Sequence, residues 1–236
     1  AVGCSPVIRN NRIVGNQRIV PWGAGIWCED GSPVVEGNTI SGNPFRAIQC
    51  ERTAVTITGN RITGNTTGPF FGYQTAPFTA LIGAVTLVDS TANVSGNVIA
   101  DNAFVLDNGD AQTGGGGGVC CIRSVAFVGG NAITGNSVRV AGEFGGTALG
   151  GGVLSSASVV RLANNLIAGN RLEALSFNVT MRGGGVYQDG GTMALVNNTI
   201  AGNVLTGQGL YSTTREGGGV YVNLSPDAGA VCSLAN

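Results

Sequence analysis

Glu29 and Glu51 are the two acids of this chain with the clearest opportunity for chemistry. They close two related phrases, I-W-C-E and I-Q-C-E, and so hold the same place in successive repeats. Two carboxylates one repeat apart could share a calcium ion or act as an acid pair. Asp107-Asn108-Gly109-Asp110 opens like a calcium loop but lacks the later ligands, which leaves Asp107 and Asp110 as weak metal candidates. Trp27, Tyr187 and Tyr221 fall in one column of the repeat, with Asp189 two residues beyond Tyr187. Stacked rings on a flat strand face can hold sugar rings, so these four are the ligand-binding candidates. Cys28 and Cys50 also share a column. At the ~4.8 Å spacing of stacked strands a disulfide between them is feasible; a pair of reduced core thiols is the other reading.

Composition removes several kinds of chemistry. All 12 basic residues are Arg and there is no His. Without His the chain lacks the usual acid–base group near neutral pH, His-ligated zinc, and the Ser–His and Cys–His nucleophile pairs. The six Cys show no C-x-x-C spacing, which argues against a zinc ribbon. No cofactor is expected, with calcium as the one candidate. A net charge of −1 favours neither nucleic acid nor an anionic membrane. No run of about 18 apolar residues appears, so no membrane span is expected. Glycine is abundant, at 41 of 236 residues, and that excess calls for a backbone explanation.

The elements that would position these residues follow from one phrase, N-x-I-x-G-N. It occurs seven times, centred on Ile13, Ile40, Ile62, Ile99, Ile133, Ile167 and Ile200, with Asp101 replacing Gly once. A second landmark is the apolar residue that follows a glycine-rich run: Ile26, Ile48, Val85, Val119, Val153, Val186 and Val220. With this residue as position zero, an Asn stands at plus twelve in six repeats: Asn38, Asn60, Asn97, Asn131, Asn165 and Asn198. A fixed period of this kind predicts a solenoid. Three short strands fit each coil: one from zero, one around plus nine, and one carrying the Ile. Period-two alternation points zero and plus two inward, and plus one and plus three outward. The Asn column predicts a ladder, because Asn tolerates a left-handed corner and its amide can bond the next coil.

Insertions all leave from one corner, between the second Asn and the next zero. They run from five residues, Asn43 to Ile48, up to about twenty. Their residues are also in register. Nine before zero come Phe144, Phe177 and Tyr211; six before zero come Thr79, Thr113, Thr147, Thr180 and Thr214; four before zero come Arg182 and Glu216. The later insertions therefore predict an extra ordered wall, with threonines that share the inward parity of zero. At plus four, Asp30, Arg52, Asp89 and Arg123 alternate in sign and predict an ion-pair ladder at a turn. Phe70, Phe71, Tyr73 and Phe78 in the Asn65–Val85 insertion are read mainly as a cover for the core.

These phrases resemble the right-handed parallel β-helix, the pectate-lyase-like architecture, and most of all the bacterial parallel-β-helix repeats of extracellular and outer-membrane proteins. The resemblance implies an all-β solenoid of about seven coils over a single domain, residues 1–236. It places the asparagine ladder between the second and third strands. It also implies a groove along the outward side of the first strand, where a lyase needs clustered acids and an Arg base. No Arg occupies those outward positions, and the His used by related hydrolases and epimerases is absent.

The expected function is thus a non-catalytic secreted or cell-surface β-helix with a structural, adhesive or glycan-contacting role. The alternative is a polysaccharide lyase or glycoside hydrolase acting on the first-strand face. The expected partner is a polysaccharide or cell-surface glycan. Both ends of the sequence fall inside a coil, which predicts further native coils or end-to-end self-association.

Overall fold

The computed structural model describes residues 2–16, 24–66, 78–107, 112–223 and 231–235. Among them every paired strand is parallel to its partner in the next coil. The Ile strands form a seven-stranded sheet in which Ile13, Ile40, Ile62, Ile99, Ile133, Ile167 and Ile200 stack in register. The five central isoleucines have no exposed surface, and Ile13 and Ile200 pack against them from the ends.

The first and second strands of each coil merge into one twelve-stranded sheet. The chain bends between them at plus four rather than stopping. Asp30, Arg52, Asp89, Arg123 and Ala157 all adopt left-handed backbone there, with φ between 47° and 52°. Zero, plus-two and plus-nine side chains fill a continuous core from Ile26 to Leu195. At the third corner Gly15, Gly42, Gly64, Gly135, Gly169 and Gly202 have φ near 60°; Asp101 takes φ 55° in the same place, as a short polar side chain can.

The asparagine ladder is present at the expected corner. Each backbone N–H and each amide Nδ2 donates to the Oδ1 of the next Asn, as in Asn60 to Asn97 at 2.8 and 3.0 Å. The second Asn of the phrase builds a parallel ladder through Asn43, Asn65, Asn102, Asn136, Asn170 and Asn203. A third, hydroxyl ladder runs Thr53, Ser90, Ser124 and Ser158 at the bend between the first two strands.

The insertions form a second layered body, here called the fin. Outgoing strands Ala103–Asp107 and Ser137–Ala141 stack on the first half of Arg171–Arg182, and the returning strands Phe78–Leu81, Gln112–Gly115 and Gly146–Leu149 stack towards its second half. Strand Val204–Glu216 extends the stack by one coil. Outgoing and returning layers enclose their own core of Phe104, Leu106, Val138, Val140, Leu172, Ala148, Val179 and Met181. Gly114 permits this approach: a Cβ there would lie 2.9 Å from Phe104 and 3.0 Å from Val140.

Candidate functional site

The fin alters the meaning of the outward columns. Strand alternation does point plus one away from the main core, but the returning layer of the fin lies over it. Cys120, Leu154 and Tyr187 form a small apolar cluster with Leu149 of the fin. Tyr187 is 5% exposed, so the expectation that it presents a ligand-binding ring is corrected. Its hydroxyl is pushed up to about 12, first by burial and then by Asp189. Tyr221, one coil on, stacks on it at 5.6 Å and 5° and remains half-buried. The Arg182 guanidinium lies 5.1 Å above the Tyr221 ring and donates to Glu216 at 2.6 Å. That contact holds the guanidinium above its ordinary pKa.

Where the fin turns into the first sheet, Leu149 packs in one cluster with Leu154 and Tyr187. Two residues earlier on the same strand face stands Thr147, in register with Thr79, Thr113, Thr180 and Thr214. Thr79 is exposed and the other four are half-buried, which corrects the inward orientation expected for this column. The inward-facing residues of these strands are their neighbours Ala80, Ala148, Val179 and Met181. Alternation on the first sheet sets the plus-three residues Val88, Ile122, Ser156, Asp189 and Asn223 outward. There Asn223 donates to Asp189 at 2.8 Å.

Glu29 and Glu51 lie on the same sheet, further down the axis, and pair in register. They are not free acids. Arg52 bonds Glu29 and donates to Asp30 at 2.9 Å, while Gln49 donates to Glu51 at 2.7 Å. These acids raise the Arg52 pKa further, hydrogen bonds to Asp30 and then Glu29 being the main causes. A guanidinium so held gives up its proton less readily, so less of it is present as the free base a lyase would need. The expected plus-four ion pairs are formed, Arg52 with Asp30 and Arg123 with Asp89 at 2.7 Å.

Arg46 was not singled out from the sequence. It is 8% exposed, its Nε and Nη1 have no hydrogen-bond partner, and burial lowers its pKa. The signal was there: Arg46 pairs with Ala24, in a column that is glycine in later coils, as at Gly83 and Gly117. Trp27 pairs with Gln49 and is half-buried. Cys28 and Cys50 are free thiols in the main core, in register and in hydrogen-bonding contact, rather than a disulfide. That contact lowers Cys28 to about 7 and, with burial, raises Cys50. Asp107 is exposed at a strand end, and Asp110, like Phe70, Phe71 and Tyr73, lies outside the described residues. Phe144, Phe177 and Tyr211 form an aromatic row at the fin tip, with centroids 6.3 and 5.5 Å apart.

A family model described as periplasmic copper-binding protein (NosD) matches residues 3–136, more than half of the chain. No curated protein and no solved structure matches. The periplasmic description agrees with the secreted or cell-surface location read from the sequence. No helix among the described residues is long and apolar enough to cross a membrane. The residues present do not fit the copper of that description. The chain has no His and two Met, Met181 in the fin core and Met193 in the main core. Among the described residues no three His, Cys, Asp or Glu side chains converge as metal ligands, for copper or for calcium.

Proposed function

Since the chain belongs to the NosD family, we propose that it is a non-catalytic β-helix outside the cytoplasm that contacts a linear glycan along the line where the fin meets the first sheet. The observation that carries this reading is the threonine column. Thr79, Thr113, Thr147, Thr180 and Thr214 repeat a hydroxyl at the strand spacing of about 4.8 Å, beside the Tyr187–Tyr221 stack and opposite Asp189. A hydroxyl can donate and accept, so such a row suits a polymer that itself presents repeating hydroxyls. Half-exposed Tyr221, stacked on Tyr187 and with Arg182 over its ring, adds a phenol at the end of the row.

The test is a polysaccharide array, read for retention and for released unsaturated or reducing ends. The variant is Thr113→Val, Thr147→Val and Thr180→Val together, which keeps branching at Cβ and removes the hydroxyls. Retention by the parent chain, lost in the variant at unchanged thermal unfolding, is the expected result. Equal retention by both, or none by the parent, would defeat the proposal.

The lyase or hydrolase reading is favoured by one observation: Glu29, Asp30, Glu51 and Arg52 gather on one face. Against it stands the occupation of each acid by a neighbour and the raised pKa of Arg52. We also propose that the strand edges at the two ends of the described stack are covered by further coils or by a second copy. Ile8 and Ile13 at one end, and Ile200, Leu205 and Val220 at the other, stand on inward columns yet are only partly buried.

A further inference from the structure

We infer that copper is a ligand of the unfolded chain and not of the folded one, so that this chain keeps the scaffold of its family without a copper site. Copper(II) is best served by imidazole, and there is none. Copper(I) takes thiolate and thioether sulfur, which here means six Cys and two Met. Folding separates or encloses these donors. Cys120 and Cys121 are consecutive in one strand and turn to opposite faces, one under the fin and one into the main core. Met181 is sealed in the fin core, away from every cysteine cluster.

Two sulfur pairs do meet in register, Cys28 with Cys50 and Met193 with Cys232. Each supplies two donors and no third, and each belongs to an inward column. Cys28, Cys50 and Met193 reach the surface only if their strands slip by one residue, which would turn the whole apolar set outward, and Cys232 is half-buried with the enclosed Met193 as its one sulfur neighbour. A copper(I) ion between two thiolates would instead leave a net negative charge in an apolar core, with Thr53 beside Cys50 as a donor to only one of the two sulfurs. Cys4 is exposed but stands alone, and Cys232 pairs only with Met193.

Unfolding releases every one of these sulfurs. A ligand that prefers the unfolded chain lowers stability, whereas a resident metal raises it. The sign therefore separates the two cases without any activity assay. Thermal unfolding of the full chain, carrying Cys4→Ser to remove the lone surface thiol, is followed anaerobically at rising copper(I). A chromophoric copper(I) chelator in the same solution reports where the metal sits. The expected result is a Tm that falls progressively with copper(I), while the chelator keeps its metal until the transition. Cys28→Ser with Cys50→Ser should reduce the fall. A Tm that rises or does not move, or one equivalent of copper(I) passing from the chelator to the folded chain, would overturn the inference.

Discussion

Asn131→Ala isolates what one rung of the asparagine ladder contributes. The Asn131 Oδ1 accepts from the Asn97 backbone N–H at 2.8 Å and from Asn97 Nδ2 at 3.0 Å. Its Nδ2 donates to the Val94 carbonyl at 2.9 Å and to Asn165 Oδ1 at 3.0 Å. Not all of these losses matter equally. Asn97 Nδ2 retains Ile57 and Ser95 carbonyls as acceptors, and Asn165 Oδ1 retains the Asn131 backbone N–H. Val94 stays in its strand ladder beside Val128, so the net injury is one backbone N–H, that of Asn97, deprived of a partner next to a site only 3% exposed. A buried group so stranded costs about 1–3 kcal/mol, and the variant should lose that much. Asn93→Ala makes the same exchange on the exposed face of the preceding coil, and should stay within about 0.5 kcal/mol. Solenoids can unfold in parts, so urea denaturation is paired with hydrogen exchange at the Asn97 amide. That amide should lose most of its protection in Asn131→Ala. A loss below about 1 kcal/mol, with Asn97 still protected, would show that the ladder is decoration on a core that needs no help.

Ile133→Asn places an amide where the parent side chain has no exposed surface, and should cost about 3–5 kcal/mol in thermal or urea unfolding; an unchanged midpoint would remove Ile133 from the core. Glu29→Gln with Glu51→Gln should leave glycan retention on the array largely intact, and loss of a lytic activity at preserved folding would instead make the chain an enzyme. The Asp89 carboxyl is held below its usual range, first by its hydrogen bond to Arg123. Its contribution to stability is therefore present above the unfolded value of about 3.9 and fades as pH falls through the lower folded value. Carboxyl NMR titration should show this Asp moving up in Arg123→Ala. Sedimentation of the 236-residue chain should show association beyond a monomer, and a stable dilute monomer would count against pairing of the end strands.

The main solenoid was legible because its signals are local and repeated. An Asn at a left-handed corner, an Ile at the centre of a three-residue strand and a fixed distance between zero and Asn each need only neighbours in sequence. The fin was legible only as a column of matching residues. Strand alternation tells which way Tyr187 and Thr147 point; it does not tell what lies over them. For Tyr187 the answer is Leu149, from an insertion that precedes it by some 38 residues. Cys120 and Leu154 carried a hint, since two apolar residues on a face expected to meet solvent ask for a cover. The threonine parity failed for a related reason. Inward at zero means towards the main core, but the returning strand belongs to another body with its own inside, so parity does not carry across the turn. The ion pairs Arg52–Asp30 and Arg123–Asp89 were readable because both partners sit on one column.

The division between ladder and fin also bears on where binding can evolve. In the ladder, each Asn of the central rungs donates and accepts within the stack, and replacing one strands a backbone N–H of a neighbouring coil. Such positions have no hydrogen-bonding capacity left for a ligand. The threonine column is different. Its side chains are not required by the core beneath, which is filled by Ala148, Val179 and Met181, and its backbone pairing does not depend on the hydroxyls. Side chains there can change without unpicking a coil, while the strand spacing keeps whatever replaces them in a regular row. A surface that is regular by construction yet free in chemistry is the place to look for the ligand, and it lies against the fin rather than on the ladders that first define the chain.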